Sequence, residues 1–108
     1  METFDKFYAL SAPIRREIIA LLSEGTPLSA TSIAEKFKVS PPAISQHLKV
    51  LLGSDILTVH RQAQKRIYQL NSAALKELET WAGRIAGQLD KISSPVENNK
   101  VQSNVRES

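Results

Sequence analysis

The chain has 108 residues and a formal net charge of +3 at pH 7, which is enough for one small domain with a single core and flexible ends. It contains no cysteine, so disulfides, thiolate metal sites, cysteine nucleophiles and thiol redox sensing are excluded. The first residues do not form a signal peptide, and the longest apolar run, Ile18 to Leu22, is too short to span a bilayer, so we expect a soluble cytoplasmic protein.

Two short amphipathic helices are predicted at the start of the chain. The first ends near residues 11–13 and carries four apolar residues at helical spacing, Phe4, Phe7, Tyr8 and Leu10. Pro13 suits the first turn of the second helix because its missing N–H is not needed there, and Ser11 is the expected cap. The buried stripe of the second helix is expected to be Ile14, Ile18, Leu21 and Leu22. Gly25-Thr26-Pro27 is expected to end it.

A third and a fourth helix follow. Either Ser29 or Ser32 is expected to cap the third helix. The inward-facing residues of that helix are Ile33, Ala34 and Phe37, and Lys38-Val39 is the turn after it. Ser40 followed by two prolines strongly predicts the start of the fourth helix, because prolines fit a first turn in which their missing N–H groups are not needed. Gly53 is expected to end the fourth helix.

The fourth helix has two distinct faces in the sequence. The inward face is Ile44, Leu48, Leu51 and Leu52, and the opposite face is Pro42, Ser45, Gln46 and Lys49. Ser40 and Ala43 lie at the N-terminal end, the end of a recognition helix that usually points at the edges of DNA bases. Lys49 is better placed for a phosphate than for a base.

The polar face has the chemistry that base recognition needs. Gln46 can bind adenine through two hydrogen bonds, and Ser45 can bond to more than one kind of base. Pro42 or Ala43 can contact a thymine methyl group, and the N–H groups of the helix start can bind a phosphate oxygen. His47 is expected to be a polar boundary residue or a donor to phosphate.

Two strands are predicted at 56–61 and 66–70, where apolar and polar residues alternate and include β-branched and aromatic members. Residues 62–65 form the turn, and because they include no glycine we expect a loose turn rather than a tight primed one. The second candidate contact consists of Arg61, Lys65 and Arg66, with His60 and Gln64 beside them. Phosphate or minor-groove contact is favoured, although charge on an edge strand also protects against aggregation. Which of these side chains face outward stays open.

The order of these elements predicts a winged helix-turn-helix, mainly α with a small β-hairpin (α+β) and the sequence α-α-α-α-β-β-α. Asp55 is the only acid between Lys36 and Lys76. The basic residues of that span are Lys36, Lys38, Lys49, Arg61, Lys65, Arg66 and Lys76. Because the positive charge lies where DNA would be met, we favour DNA binding over an ordinary helix with a solvated polar face.

Arg15 and Arg16 open the second helix, where cations sit poorly with the helix dipole. An outside partner would explain them. The sequence leaves open whether that partner is an acidic residue or a phosphate.

Asn71 or Ser72 is expected to begin a last helix. Its long apolar stripe is Leu75, Leu78, Trp81, Ile85, Leu89 and Ile92. Trp81 could stack on a ligand, but its place in this stripe favours packing in a core or an interface. The residues after Ser93-Ser94-Pro95 have no period and almost no large apolar residue. We therefore predict a winged-helix domain at 1–92 and a disordered tail at 93–108.

The sequence offers little for metal or catalytic chemistry. His47 and His60 are the only histidines and share no ligand spacing with each other or with a carboxylate cluster, so we expect no metal site. There is no glycine-rich phosphate loop, Ser/His/Asp arrangement or paired-carboxylate motif. We expect no enzyme activity and no cofactor.

Three stretches resemble the ArsR-type (ArsR/SmtB-like) small winged-helix repressors of bacteria and archaea. They are Ala9 to Arg16, Ile33-Ala34 and Ser40 to Leu51, of which the last is the most specific. Gln64 to Leu70 and the residues Leu75, Leu78 and Trp81 extend the similarity, which covers roughly residues 4–92. The chain is similar to a cysteine-free subgroup that lacks the usual metal-binding motifs.

This resemblance implies a homodimer whose interface is formed by the first and last helices. The residues it implies are Phe4, Phe7, Leu78, Trp81, Ile85 and Leu89. Many relatives sense metals through cysteines in the third helix, and others through Asp and His in the last. This sequence has no cysteine and no histidine in the last helix, so we predict no metal sensing. Ala12 stands where the family often has a capping Asp, and Ala63 replaces the common wing glycine.

The expected function is that of a homodimeric, sequence-specific DNA-binding repressor on the nucleoid of a prokaryotic cell. Its two recognition helices would enter successive major grooves of a near-palindromic operator, about 34 Å apart. The alternatives are a protein-interaction winged-helix module that binds an acidic partner and a sequence-indifferent architectural DNA binder. A small-molecule or protein effector stays open.

Overall fold

The structure is a computed structural model that describes residues 2–93. The helices are α1 (Lys6–Leu10), α2 (Pro13–Leu22), α3 (Ala30–Phe37), α4 (Pro41–Gly53) and α5 (Ser72–Ser93). The strands are β1 (Leu28–Ser29), β2 (Leu57–Gln62) and β3 (Lys65–Leu70). The predicted fold class, mainly helical with a small β-hairpin, is confirmed, and every predicted helix is present.

The sheet has one strand more than the sequence predicted. β3 is the middle strand: it pairs antiparallel with β1 along one edge and with β2 along the other, so the strand order is β1-β3-β2. Only two residue pairs hold β1, Leu28 opposite Tyr68 and Ser29 opposite Ile67. A two-residue strand is too short to show an alternation of apolar and polar residues, so no sequence pattern predicts it.

The chain divides into two compact units between Leu75 and Lys76, within α5. The core of the first unit is formed by apolar side chains from α2, α3, α4 and the start of the hairpin. The largest of them with almost no exposed surface are Ile18, Ile33, Ile44, Leu48, Leu51, Ile56 and Leu57. Each contributes about 1.5–3 kcal/mol through burial. This confirms the inward stripes of α3 and α4, except that Phe37 and Leu52 are only half-buried.

Side-chain caps begin three of these helices. Asp5 accepts hydrogen bonds from Phe7 N at 2.7 Å and from Tyr8 N. Ser29 accepts from Ser32 N at 3.2 Å, so Ser29 is the cap of α3 and the alternative, Ser32, is not. Ser40 caps α4, as its position before two prolines predicts.

The expected cap of α2 is wrong. Its N-cap residue is Ala12, which makes no side-chain cap hydrogen bond. Ser11 instead ends α1, and its hydroxyl donates to the Tyr8 carbonyl at 2.7 Å. Ser11 still belongs to the last turn of α1, and only Ala12 separates it from Pro13. Ser11 therefore cannot also cap α2.

Gly53 is needed where the N-terminal segment crosses the end of α4. Phe4 precedes α1 rather than belonging to it, and its backbone N–H donates to the Gly53 carbonyl at 3.0 Å. A Cβ added to Gly53 would lie 2.5 Å from the Glu2 carbonyl oxygen and 2.6 Å from the Phe4 ring. The glycine therefore permits a close approach of backbone to backbone, a role beyond ending the helix.

The hairpin turn is tight, which contradicts the expected loose turn. The β2–β3 ladder continues to the pair Gln62 and Lys65, so only Ala63 and Gln64 remain in the loop. Ala63 has a φ of 58° and takes the left-handed conformation that a glycine usually provides. Such a conformation costs an alanine roughly 1 kcal/mol, which the six paired positions of the ladder outweigh.

The second unit is described over residues 76–93, which continue α5. At the start of α5, the Asn71 side chain accepts from Ala73 N at 3.2 Å, which agrees with the predicted start. Several large apolar side chains of the second unit are exposed, namely Trp81, Ile85, Leu89 and Ile92.

The predicted tail lies, apart from Ser93, outside the described residues. Between residues 2 and 93, the structure contains no helix with the length and apolar character that crossing a membrane requires.

Candidate nucleic-acid interface

α4 presents a polar surface that the core does not use. The side chains of Pro42, Ser45, Gln46 and Lys49 are all exposed. At the N-terminal end, Ser40 is exposed and Ala43 is half-buried. The exposure expected from the helical spacing is therefore confirmed, while contact of these residues with DNA stays a prediction.

The turn between α3 and α4 fixes the angle at which α4 leaves the core. Lys38 ends α3 with a φ of 55°, and both its N–H and the N–H of Val39 donate to the Ala34 carbonyl. A left-handed residue at the end of a helix reverses the chain direction sharply. Ser40 then starts α4 at once, so α3 and α4 form a helix-turn-helix with a very short connection.

Register decides which wing residues share a face, a question the sequence left open. Arg61 lies directly opposite Arg66, so the two side chains project from the same face of the hairpin. Arg66 also shares that face with Tyr68, two positions along β3. Lys65 and Gln62 form the next pair and project from the other face. Two like charges placed opposite each other destabilise a sheet unless an anion lies between or beside them.

A first cleft separates α4 from the wing. Its volume is about 250 Å³, and it is lined by Ser45, Lys49, Leu52, Arg66 and Tyr68. The arginine face of the hairpin is thus the one turned toward α4. A basic, partly polar cleft of this kind suits the phosphate backbone of a duplex.

A second cleft adds the start of α3 to the same surface. It has a volume of about 350 Å³ and is lined by Ser29, Ala30, Thr31, Ser45, Gln64, Lys65, Arg66 and Tyr68. The sequence did not single out residues 29–31 or Tyr68 for this surface. Residues 29–31 reach this surface through the pairing of β1 with β3, which no sequence pattern predicts.

Arg15 lies on the opposite flank of α4, where it is 7% exposed. Its Nε donates to the Ala9 carbonyl at 2.8 Å and its Nη2 to the Tyr8 carbonyl at 3.0 Å. The guanidinium also lies 5.1 Å from the centre of the Tyr8 ring, within cation–π range. Nη1 is 3.3 Å from Nδ1 of His47 on α4.

The partners of both arginines differ from the two that the sequence suggested. Arg16 Nη1 donates to the Leu10 carbonyl at 2.6 Å, and Arg15 donates to the carbonyls of Tyr8 and Ala9. Among the described residues the arginines therefore bind the carbonyl end of α1, where a cation is favourable, rather than an acidic side chain. The start of α2 is an unfavourable position for a cation with respect to the dipole of α2. The same position lies beside the carbonyl end of α1, where a cation is favourable.

His47 is half-buried and lies beside the exposed face of α4 rather than within it. Burial lowers the pKa of His47 below its ordinary value of 6.5, and the nearby charge of Arg15 lowers it further. His47 is therefore held in its neutral form around neutral pH.

The residues implied for the dimer interface are placed on both units. In the first unit Phe4 is half-buried and Phe7 is 47% exposed. In the second unit Leu78 is half-buried, and Trp81, Ile85 and Leu89 are 45%, 41% and 57% exposed. Exposure of this kind suits an interface, and the contact itself stays a prediction.

Within residues 2–93, no three His, Asp or Glu side chains converge as a metal ion would need.

Comparison with known proteins supports the same fold and family. A family model described as a helix-turn-helix domain matches residues 10–60. The chain is 40% identical over 75 residues to the transcriptional repressor SdpR of Bacillus subtilis, covering 69% of this chain and 82% of that protein. It is 42% identical over 62 residues to the arsenical resistance operon repressor of Staphylococcus xylosus, covering 57% and 59% of the two chains.

A solved structure of an ArsR-like transcriptional regulator from a Rhodococcus species matches with a TM-score of 0.70 and 29% identity. The match covers 79% of this chain and 79% of that one. With α3, α4 and the β2–β3 wing in the same order, the chain belongs to the ArsR-type family of winged helix-turn-helix transcriptional regulators.

Proposed function

We propose that this protein is a homodimeric transcriptional repressor that binds a near-palindromic DNA operator in a sequence-specific manner. The observation that carries the proposal is the exposed polar face of α4, which is flanked by the arginine face of the wing. A helix of this kind fits the major groove, and a basic hairpin beside it fits the phosphates. The DNA it would bind places it on the nucleoid, in the cytoplasm of a prokaryotic cell.

Within α4, base recognition and phosphate binding fall to different residues. Gln46 is the side chain with two hydrogen-bonding atoms that match adenine, and Ser45 adds a shorter, less selective contact. Pro42 and Ala43 offer apolar surface for a thymine methyl group. Lys49 lines the cleft toward the wing, which favours phosphate over base.

On the wing, Arg61, Lys65 and Arg66 supply charge for the backbone on either side of the major groove, and Gln64 at the tip can donate to a phosphate or reach a minor groove. Each phosphate neutralised should steepen the fall of log affinity with log salt by roughly 0.9. The wing therefore contributes affinity for any duplex, and α4 contributes the discrimination among sequences.

A homodimer follows from the apolar side chains that the single chain leaves exposed. On α5, Trp81, Ile85 and Leu89 recur at helical spacing, and burying them against a second copy would remove apolar surface from water. On α1, Phe7 is proposed as a further dimer contact. Two copies related by a twofold axis would present two α4 helices to successive major grooves.

The side chains present give no reason to expect metal responsiveness, so control by a metal is not part of the proposal. Any effector, small molecule or protein, is left open.

The proposal is tested by selecting duplexes from a library with a randomised central segment, using the full chain. Fluorescence anisotropy then compares the selected duplex with a shuffled duplex of the same composition at two salt concentrations. We expect the selected sequences to contain an inverted repeat and to bind at least about a thousandfold more tightly than the shuffled duplex. Equal binding to both would indicate an architectural DNA binder, and no binding to either would favour a protein-interaction module. Either result contradicts the proposal.

The proposed dimer is tested separately by sedimentation of the full chain and of Trp81→Arg, with Thr80→Arg, at an exposed neutral residue of α5, as the control that adds the same charge. We expect a dimer for the parent and for the control, and a monomer with weakened DNA binding for Trp81→Arg. A parent that sediments as a monomer on and off DNA would overturn the twofold arrangement.

A further inference from the structure

Arg15 is anchored on one side and leaves a single donor group for α4. The carbonyls of Ala9 and Tyr8 hold Nε and Nη2, and the Tyr8 ring lies against the guanidinium. These contacts fix the guanidinium plane inside the first unit. The remaining nitrogen, Nη1, lies 3.3 Å from Nδ1 of His47.

This contact determines which His47 nitrogen carries the hydrogen. A guanidinium has only donors, so a hydrogen bond between Nη1 and Nδ1 requires that Nδ1 be the acceptor. In neutral imidazole the hydrogen then lies on Nε2. Within residues 2–93, Nε2 of His47 has no hydrogen-bond partner, although the side chain is only half-buried. A donor is thus left at the edge of the exposed face of α4.

The position of His47 on the helix places the residue beside the surface that a duplex bound to α4 would cover. His47 follows Gln46 directly and lies one turn after Ala43, on the side of the helix away from the wing. The wing flank of α4 already has Lys49 and Arg66 for phosphates. The α2 flank has no comparable exposed cation from α4 itself, and Nε2 of His47 is the polar atom available there.

We infer that Arg15 is a positioning residue for DNA binding, which holds His47 neutral with Nδ1 as acceptor so that its Nε2–H donates to a phosphate oxygen of the duplex. The inference depends on the proposed function, because it needs α4 to meet DNA. It goes beyond that function by assigning the protonation state and the orientation of a contact, and by giving a buried arginine a part in DNA binding.

The direction of the pKa shift agrees with this geometry. Burial and the charge of Arg15 lower the pKa of His47, so the neutral form is the one that the folded protein favours. A proton added to Nδ1 would remove the acceptor and place two cations in contact. The other titratable residues on α4 and on the elements packed against it are Lys6, Tyr8, Arg16, Glu17, Glu35, Lys36, Lys49, His60 and Arg61.

The pH dependence of DNA affinity separates this inference from the usual expectation for histidine. If neutral His47 is the donor, affinity for the selected duplex is constant above the pKa of His47 and falls by up to about tenfold per pH unit below it. If protonated His47 binds phosphate as a cation, affinity rises as the pH falls. The measurement is made in a His60→Asn background, so that the only histidine titrating is His47.

Two amide substitutions divide the roles of the two nitrogens. The asparagine amide lies near the position of Nδ1 and the glutamine amide near that of Nε2. We expect His47→Asn to keep the contact with Arg15 and to lose about tenfold in affinity, and His47→Gln to keep most of the affinity. Both should lose the pH dependence. Affinity retained by asparagine and lost by glutamine would overturn the inference, as would a rise in affinity of the parent at low pH.

The role of Arg15 is tested in the free protein by nitrogen-15 NMR of the His47 ring. We expect the Nε2–H tautomer alone in the parent, and a mixture of tautomers in Arg15→Lys, since an ammonium cannot reproduce the planar fork of donors. Arg15→Lys should also weaken binding to the selected duplex while its amide spectrum stays that of a folded protein. An unchanged tautomer and affinity in Arg15→Lys would contradict positioning by Arg15. If the parent binds no DNA, the proposed function fails, whereas DNA binding with a flat pH profile sinks only this inference.

Discussion

The two flanks of α4 are built on opposite principles. On the α2 flank a buried arginine is held by carbonyls and reaches His47, so the charge and hydrogen bonds of the arginine are satisfied within the protein and, among the described residues there, only the His47 Nε2–H is left for a ligand. On the wing flank, Arg61 and Arg66 are exposed and lie opposite each other, and an open cleft lies between Arg66 and α4. The α2 flank, which we call the closed flank, thus keeps one donor for a ligand, whereas the wing flank, the open flank, holds two like charges that an anion would stabilise.

This difference predicts two kinds of response to mutation. Substitutions on the closed flank should lower the free energy of unfolding where they leave buried groups unsatisfied, and should weaken DNA binding only through the single contact of His47. Substitutions on the open flank should act mainly on DNA affinity and its salt dependence, because exposed charged side chains contribute little to the stability of the free protein. The exposed face between the flanks should affect discrimination among sequences alone.

The largest effect is expected on the closed flank. Arg15→Met removes the donors to Ala9, Tyr8 and His47 and should lower the free energy of unfolding by about 2–4 kcal/mol in chemical denaturation. Arg16→Met is the matched control, since Arg16 is exposed and, among the described residues, its side chain donates only to the Leu10 carbonyl, and it should cost no more than about 0.5 kcal/mol. Similar losses for both variants would remove the distinction between a closed and an open flank.

The same flank should respond to pH. The pKa of His47 is lowered in the folded protein, so below about pH 6.5 the unfolded chain takes up a proton that the folded protein resists. The free energy of unfolding should therefore fall as the pH drops from about 6.5, and this fall should be smaller in His47→Asn. Denaturation of both proteins across that range, in the His60→Asn background, measures it. Parallel curves would show that His47 is not linked to folding.

The next effect concerns the face between the flanks. Gln46→Ala should cost about 1–3 kcal/mol of discrimination at one operator position and leave binding to a shuffled duplex unchanged. Gln69→Ala, at an exposed glutamine of β3 outside both clefts, is the control and should change neither value. Equal loss on the selected and the shuffled duplex would exclude base recognition by Gln46.

The open flank should give a smaller effect of a different kind. Arg66→Gln should weaken binding to every duplex alike and flatten the slope of log affinity against log salt by roughly 0.9. Folding stability should stay constant or rise slightly, because the repulsion with Arg61 is relieved. Lys65→Ala should follow the same pattern, and Lys91→Gln on α5 is the control for a lost surface charge. A salt slope that does not change would remove the wing from the interface.

The smallest effect is expected at the tip of the wing. Ala63→Gly removes the strain of a positive φ, although glycine also makes the unfolded chain more flexible. The net gain in the free energy of unfolding should be about 0.5 kcal/mol, measured by denaturation with Gln64→Gly as the comparison. Gln64 is not among the positive-φ residues, so that second variant should be destabilising. A loss of stability in Ala63→Gly would mean that the turn is not strained.

The two flanks also differ in how far the sequence could predict them. α4 was predictable because a cap, two prolines and a helical apolar spacing all agree within thirteen residues. The wing was harder, since the tight turn uses an alanine where glycine is usual, and β1 consists of two residues recruited by pairing alone. The partners of Arg15 could not be predicted from the sequence, because they depend on where the carbonyl end of α1 lies in space rather than on any spacing along the chain.

Mapping of the duplex onto the protein tests the central claim most directly. Amide chemical shifts of the isotope-labelled full chain are followed by NMR as the selected duplex is added, with the shuffled duplex as the comparison. We predict that the selected duplex shifts the amides of Ser45, Gln46 and Lys49 most strongly, together with Lys65 and Arg66, and that the shuffled duplex affects mainly the wing. Shifts that spare α4 while the selected duplex is bound would contradict the assignment of α4 as the helix that recognises DNA.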